Sequence, residues 1–247
     1  MPTHTGSHRG GEHGFTLIEL LVSMLMATIV IGALFEIFIV SLHQTSRITD
    51  SVQATQLGRT AITRVVDELH SACIARKFAP VQAESSGTKL IFVNAYSKEA
   101  VINKTEVYEH EIEWSSATQK MTDTITPASS GEWPKFIFAS TPTKTVLGEH
   151  IAEEGSSNPI FKYYKYGETY SSGSTEPVST LIEMTPIPSS GMTATEAAQV
   201  AAVVVSFATK PIDGETTLSR SAEFSNQVTF AFGAPSSEAK IEDGPCQ

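Results

Sequence analysis

From Phe15 to Leu42 the chain reads FTLIELLVSMLMATIVIGALFEIFIVSL, with few interruptions, among them Thr16, Glu19, Ser23, Thr28, Gly32 and Glu36. As a helix, these roughly 28 residues would cover about 42 Å, more than the ~30 Å hydrocarbon core of a bilayer. A helix that is apolar on every side needs an apolar medium all round it. Glu19 is the costly exception, since a carboxylate inside a membrane segment costs on the order of 2.5–3.5 kcal/mol on insertion scales. The run also begins abruptly. Residues 1–14, MPTHTGSHRGGEHG, are polar and rich in Gly and His, with no helical period, and read as a leader rather than folded protein.

The helical pattern outlasts the apolar run. No proline occurs between His43 and Cys73, and apolar positions recur at Ile48, Val52, Leu57, Ala61/Ile62, Val65/Val66, Leu69 and Ala72/Cys73. That three-and-four spacing marks a single apolar stripe. One continuous helix is therefore expected from Phe15 to about Ala75, greasy all round in its first half and amphipathic in its second. Pro80 forbids its continuation.

Beyond Pro80 the period changes to two. Residues 89–96, 106–114, 135–140, 160–166, 180–184, 199–208 and 222–232 read as strands, separated by turn-forming stretches such as ESSGT, EEGSSNP and SSGSTEP. Strand follows strand without intervening helices, so the sheets should be largely antiparallel, and 199–208, apolar on both faces, should be central. The expected fold class is α+β: a long N-terminal transmembrane helix whose amphipathic second half packs on an antiparallel β-sheet domain. The expected organisation is a leader over 1–14, a transmembrane half over 15–42, and an extracytoplasmic domain over 43–247. That domain comprises the amphipathic helix 43–75, a β-rich region 85–233 and a C-terminal tail.

Composition narrows the function. The formal net charge is −10, from 27 acidic and 17 basic residues, and an acidic surface repels phosphate backbones. The two cysteines, Cys73 and Cys246, could form one disulfide closing almost the whole globular part in an oxidising compartment.

The stretch GFTLIELLVSMLMATIVIGALFEIFIVSL, with Gly14 before an aromatic Phe15 and an acid at the fifth position after that junction, closely resembles the processing and methylation motif of type IV pilins and type II secretion pseudopilins. The resemblance implies that a prepilin peptidase cuts between Gly14 and Phe15 and methylates the new amine of Phe15. It implies too that such helices pack side by side in a filament core. There Glu19 would face the cationic amine of a neighbouring subunit, a pairing that neutralises two costly groups and sets register. Major pilins often carry proline where this chain has Glu36, which lies about 26 Å beyond Glu19 along a helix. Near the far edge of the hydrocarbon, Glu36 could reach headgroups or water. The closing pattern of an apolar strand, PIDGE and SRSAEFSNQVTFAF resembles J-type minor pseudopilins and W-type minor pilins.

Other constellations carry less. In YEHEIEW, Glu109, Glu111 and Glu113 share one strand face at roughly 6.8 Å spacing, too far apart to grip one ion unaided. Tyr108, His110, Ile112 and Trp114 share the other, core-directed face. FKYYKY interleaves aromatics with Lys162 and Lys165 as single-strand binders do, but two lysines in an acidic chain are thin support. IEDGPC lacks the alternating acids of a calcium loop. No nucleophile–base pattern or phosphate loop appears.

The expectation is a non-enzymatic structural subunit, a minor pilin or pseudopilin of a type IV pilus or type II secretion pseudopilus, with no cofactor and no metal. Its expected partners are prepilin peptidase, other subunits, an inner-membrane assembly platform and membrane lipid, with nucleic acid disfavoured. The expected location is the cytoplasmic membrane, with a cytoplasmic leader before cleavage and an extracytoplasmic filament after it. The rival is a monomeric, single-pass, membrane-anchored binding domain.

Overall fold

The computed structural model describes residues 16–73, 79–97, 105–132, 135–154, 158–170, 177–212 and 221–230. Two compact units divide the chain, Met1–Ile48 and Thr49–Gln247.

The first unit contains the opening half of helix α1, which as a whole runs Leu17–His70. Its large apolar side chains are exposed from Leu17 to Leu42. This is a helix long and apolar enough to cross a membrane. Its hydroxyls do not interrupt the apolar surface. Ser23 donates to the carbonyl of Leu20 and Thr28 to that of Met24, each at 2.9 Å, so both are satisfied within the helix.

In the second unit α1 becomes one-sided, but the expected stripe turns inward only from Ala61: Ile48 and Val52 are exposed, and Ala54 and Gly58 take the inward places before it. Ala54, Gly58, Ala61, Val65, Val66 and Leu69 are buried. They lie against two antiparallel sheets. The first has the order β1 (Lys89–Ser97), β2 (Thr105–Ser115), β3 (Lys120–Pro127) and β6 (Thr143–Gly148). The second has the order β11 (Ala222–Thr229), β10 (Val200–Thr209), β8 (Phe161–Tyr170) and β9 (Pro177–Glu183), with β7 (Ile151–Ala152) also paired to β10. A small hairpin, β4 (Ser130–Glu132) and β5 (Lys135–Ile137), stands apart from both. The α+β architecture and the antiparallel pairing match the expectation.

Small residues let α1 come close. The Phe224 ring fills the space beside Gly58, and Thr209 donates its hydroxyl to the carbonyl of Ala54 at 2.7 Å. Arg64 reaches the carbonyl of Val146 at 3.3 Å, tying the helix to β6. At the helix end the backbone joins the first sheet: Ala72 bridges Asn94, and the Cys73 amide donates to Val93 at 2.7 Å. Strand β10 is buried along nearly its whole length and sits between β11 and β8, the central place its two apolar faces predicted.

One core couples the sheets. Leu69 from α1, Leu90 and Phe92 from β1, Ile112 from β2, and Phe161, Tyr163, Val203 and Phe207 from the second sheet are all at most 1 % exposed. The Tyr163 hydroxyl bonds the carbonyls of Ser86 and Lys89 at 2.9 and 3.0 Å, and the Trp114 indole donates to Ile151 at 3.1 Å. Burial pushes the Tyr163 phenol well above its ordinary value, so it stays a neutral donor.

Five elements went unanticipated: β3, β4, β6, β7 and α2. Strand β3 carries Asp123 at a fully buried position, which breaks the apolar alternation by which a strand is recognised. Strand β6, TKTVLG, is mostly exposed and so has little apolar signal. The short helix α2 (Ala194–Ala197) is held by a capping box, in which the Thr193 hydroxyl accepts from the Glu196 amide and the Glu196 carboxylate accepts from the Thr193 amide.

Candidate functional site: the start of the apolar helix

The functional expectation rests on Gly14, Phe15 and Glu19. Gly14 and Phe15 lie outside the described residues, which begin at Thr16, the residue before α1. Glu19 stands in the first turn. Its amide donates to the Thr16 carbonyl at 3.1 Å and lies 3.4 Å from the Thr16 hydroxyl oxygen, in N-cap fashion.

TLIE is thus a serine/threonine-x-x-glutamate start signal, and a first-turn acid opposes the positive end of the helix dipole. Both contacts are made by the Glu19 backbone amide, as a residue of any type there would make them. Glu36 lies further along α1, on a stretch exposed throughout.

The remaining candidates separate. Cys73 is buried at the end of α1, and Cys246 lies outside the described residues, as does IEDGPC. Glu109, Glu111 and Glu113 do share one face of β2, paired to Val93, Ile91 and Lys89 of β1, and among the described residues no His, Cys, Asp or Glu group could hold a metal. Glu109 is partly buried, and its carboxyl is raised by that burial first, then by Glu111 and Glu84, against the pull of Lys89. On the opposite face His110 and Ile112 are buried, as the alternation requires. In FKYYKY, Tyr163 belongs to the core and Lys165 bonds Gln199 at 3.3 Å, so the aromatics form no continuous exposed platform.

No curated protein and no solved structure matches the chain. A family model does match its beginning, over residues 9–35: the prokaryotic N-terminal methylation motif. The match spans the Gly14–Phe15 junction, Thr16, Glu19 and most of the apolar run. The chain therefore carries a prepilin-type N-terminal methylation motif joined to a helix of membrane-spanning length and an antiparallel β unit.

Proposed function

We propose that the chain is the precursor of a minor pilin or pseudopilin, with a structural rather than enzymatic role. A prepilin peptidase cleaves it after Gly14 and methylates Phe15. The apolar half of α1 first anchors it in the cytoplasmic membrane with the leader on the cytoplasmic side. An assembly platform then draws it into a filament outside that membrane, where α1 exchanges lipid for the helices of neighbouring subunits. Glu19 takes the amine of a neighbour's Phe15 as its partner, and Cys73 pairs with Cys246 once the β unit is outside.

The single observation that carries this reading is the methylation motif over residues 9–35, placed directly on the start of an apolar helix. The closing strand pattern supports a minor subunit of the J or W type. The test is the mass of the mature N-terminus in cells with and without a prepilin peptidase. A chain beginning at methylated Phe15 only when the peptidase is present supports the reading. An intact Met1 in both, or a cut beyond Gly32, overturns it.

The rival reading is a single-pass anchored binding domain, supported by the length and apolar character of α1 alone. That reading expects no cut at Gly14, so the same mass separates the two.

A further inference from the structure

Helix α1 has a defined first residue. The Thr16 carbonyl accepts from the amides of both Glu19 and Leu20, at 3.1 and 3.2 Å, and the Thr16 hydroxyl oxygen accepts from the Glu19 amide at 3.4 Å. Thr16 itself stands outside the helix, which begins at Leu17. A residue whose carbonyl takes the first helical bond, and whose side chain turns to an amide of the first turn, is an N-cap. Threonine does this; valine, of the same shape, does not.

The helix starts where starting is costly. The opening amides of a helix have no acceptor within it, and among the described residues those of Leu17 and Ile18 have none. Away from water bare amides are expensive, and winding the helix further back relieves them one at a time. A helix wound back in this way would give the Ile18 amide to the Gly14 carbonyl. Glycine resists that step because it is a poor helix former, whereas Phe15 is an ordinary one and sets little barrier. The cap at Thr16 satisfies one opening amide in place and so favours the helix that begins at Leu17.

The same carbonyl is the one that a cut between Gly14 and Phe15 requires. Hydrolysis adds water across that bond and leaves a carboxylate on Gly14 and an amine on Phe15. The peptidase has to polarise the Gly14 carbonyl with its own donors, which a carbonyl already held in a helical turn does not permit. We propose that Thr16 is a positioning residue for this cut: by capping α1 it holds the helix start at Leu17, beyond the scissile bond, and keeps the Gly14 carbonyl available.

This rests on the processing reading above and adds the reason a capping residue stands second after the cut. Thr16 touches no reacting atom in this account and acts through the helix. A precursor whose helix has wound back over Gly14 is unfit for the peptidase, and the apparent affinity falls with the fraction of chains that remain fit. The rival explanation is that the peptidase reads the side chain at position 16 directly, by its shape. Capping and shape rank the substitutions differently, so they separate.

The experiment is the rate at which a purified prepilin peptidase cuts the full-length chain in detergent micelles, with Thr16→Val, Thr16→Ser and Thr16→Asn beside the natural protein. Valine keeps the shape and loses the cap; asparagine changes the shape and keeps a cap. The expected kcat/KM falls about fivefold for valine, the population factor that loss of an ordinary cap carries, and stays within about twofold for serine and asparagine. A natural rate in Thr16→Val overturns the inference and leaves the processing reading standing. So does an order that follows shape, with valine fast and asparagine slow. A natural chain that is not cut after Gly14 overturns both. A polar contact between peptidase and side chain would mimic the expected order, so a second readout omits the peptidase. The carbon-13 Cα shift of Phe15 in the micelle-bound precursor should move toward its helical value in Thr16→Val and not in Thr16→Asn. A Phe15 shift that valine leaves unmoved sinks the proposal.

Discussion

The Phe224 ring on β11 lies against the backbone of Gly58 on α1, in the space a methyl group would need. Gly58 therefore serves packing, whereas Gly32 on the same helix has open space beside it. It lets a strand lie close to the helix axis at the place where Thr209 also reaches the Ala54 carbonyl. Gly58→Ala would gain about 1 kcal/mol in helix propensity. It would lose roughly 1–3 kcal/mol to overpacking unless the ring moves. We expect a net loss, visible in thermal unfolding as roughly 2–4 °C per kcal/mol. A raised midpoint would show that the ring yields freely.

The long helix was legible from its spacing, although Ala54 and Gly58 rather than Val52 face inward, and the strands whose inward positions are all apolar were legible from their alternation. What stayed hidden was hidden for physical reasons. Asp123 occupies an inward position on β3 because a histidine on the neighbouring strand receives it, and a partner thirteen residues away leaves no local pattern. The methylation motif over residues 9–35 was legible from residue types and spacing.

Thr16 should matter to the first turn of α1 even in an isolated chain. Thr16→Val removes the hydroxyl while keeping the shape, and should cost about 0.5–2 kcal/mol of local helix stability. Hydrogen exchange of the first-turn amides in detergent should quicken, and Thr16→Ser should restore most of the protection.

Glu19→Gln removes the charge of that side chain while keeping its length. Glutamine suits the third position of a helix as glutamate does, but it cannot neutralise an amine. The helix start should remain protected in the variant, while recovery of the chain in filaments should fall at least tenfold. Full filament incorporation would refute the charge-pairing role.

Tyr163→Phe should destabilise the second unit by roughly 1–3 kcal/mol, because carbonyls of the Ser86–Lys89 turn lose a buried donor. Thermal unfolding should register the change without altering the pairing of β8. An unchanged midpoint would mean that those carbonyls find another donor.

Glu109 gives a signed pH effect. Its carboxyl is raised in the folded chain, so its contribution to stability is fully present below the unfolded value and is lost as pH rises through the folded one. At neutral pH the ionised group therefore works against the fold. Glu109→Gln should unfold at a higher temperature than the natural protein at pH 7, and the gap should close as the solution is acidified toward the ordinary carboxylate range.

Ser23 and Thr28 turn their hydroxyls back onto their own helix. Seen from outside, the opening stretch of α1 is then a smooth hydrocarbon rod that asks no neighbour for a hydrogen bond. Such a rod can slide, turn or change surroundings without breaking a polar contact, so its apolar surface alone specifies no position along its axis. Any address it carries must be written in its two carboxylates, Glu19 and Glu36.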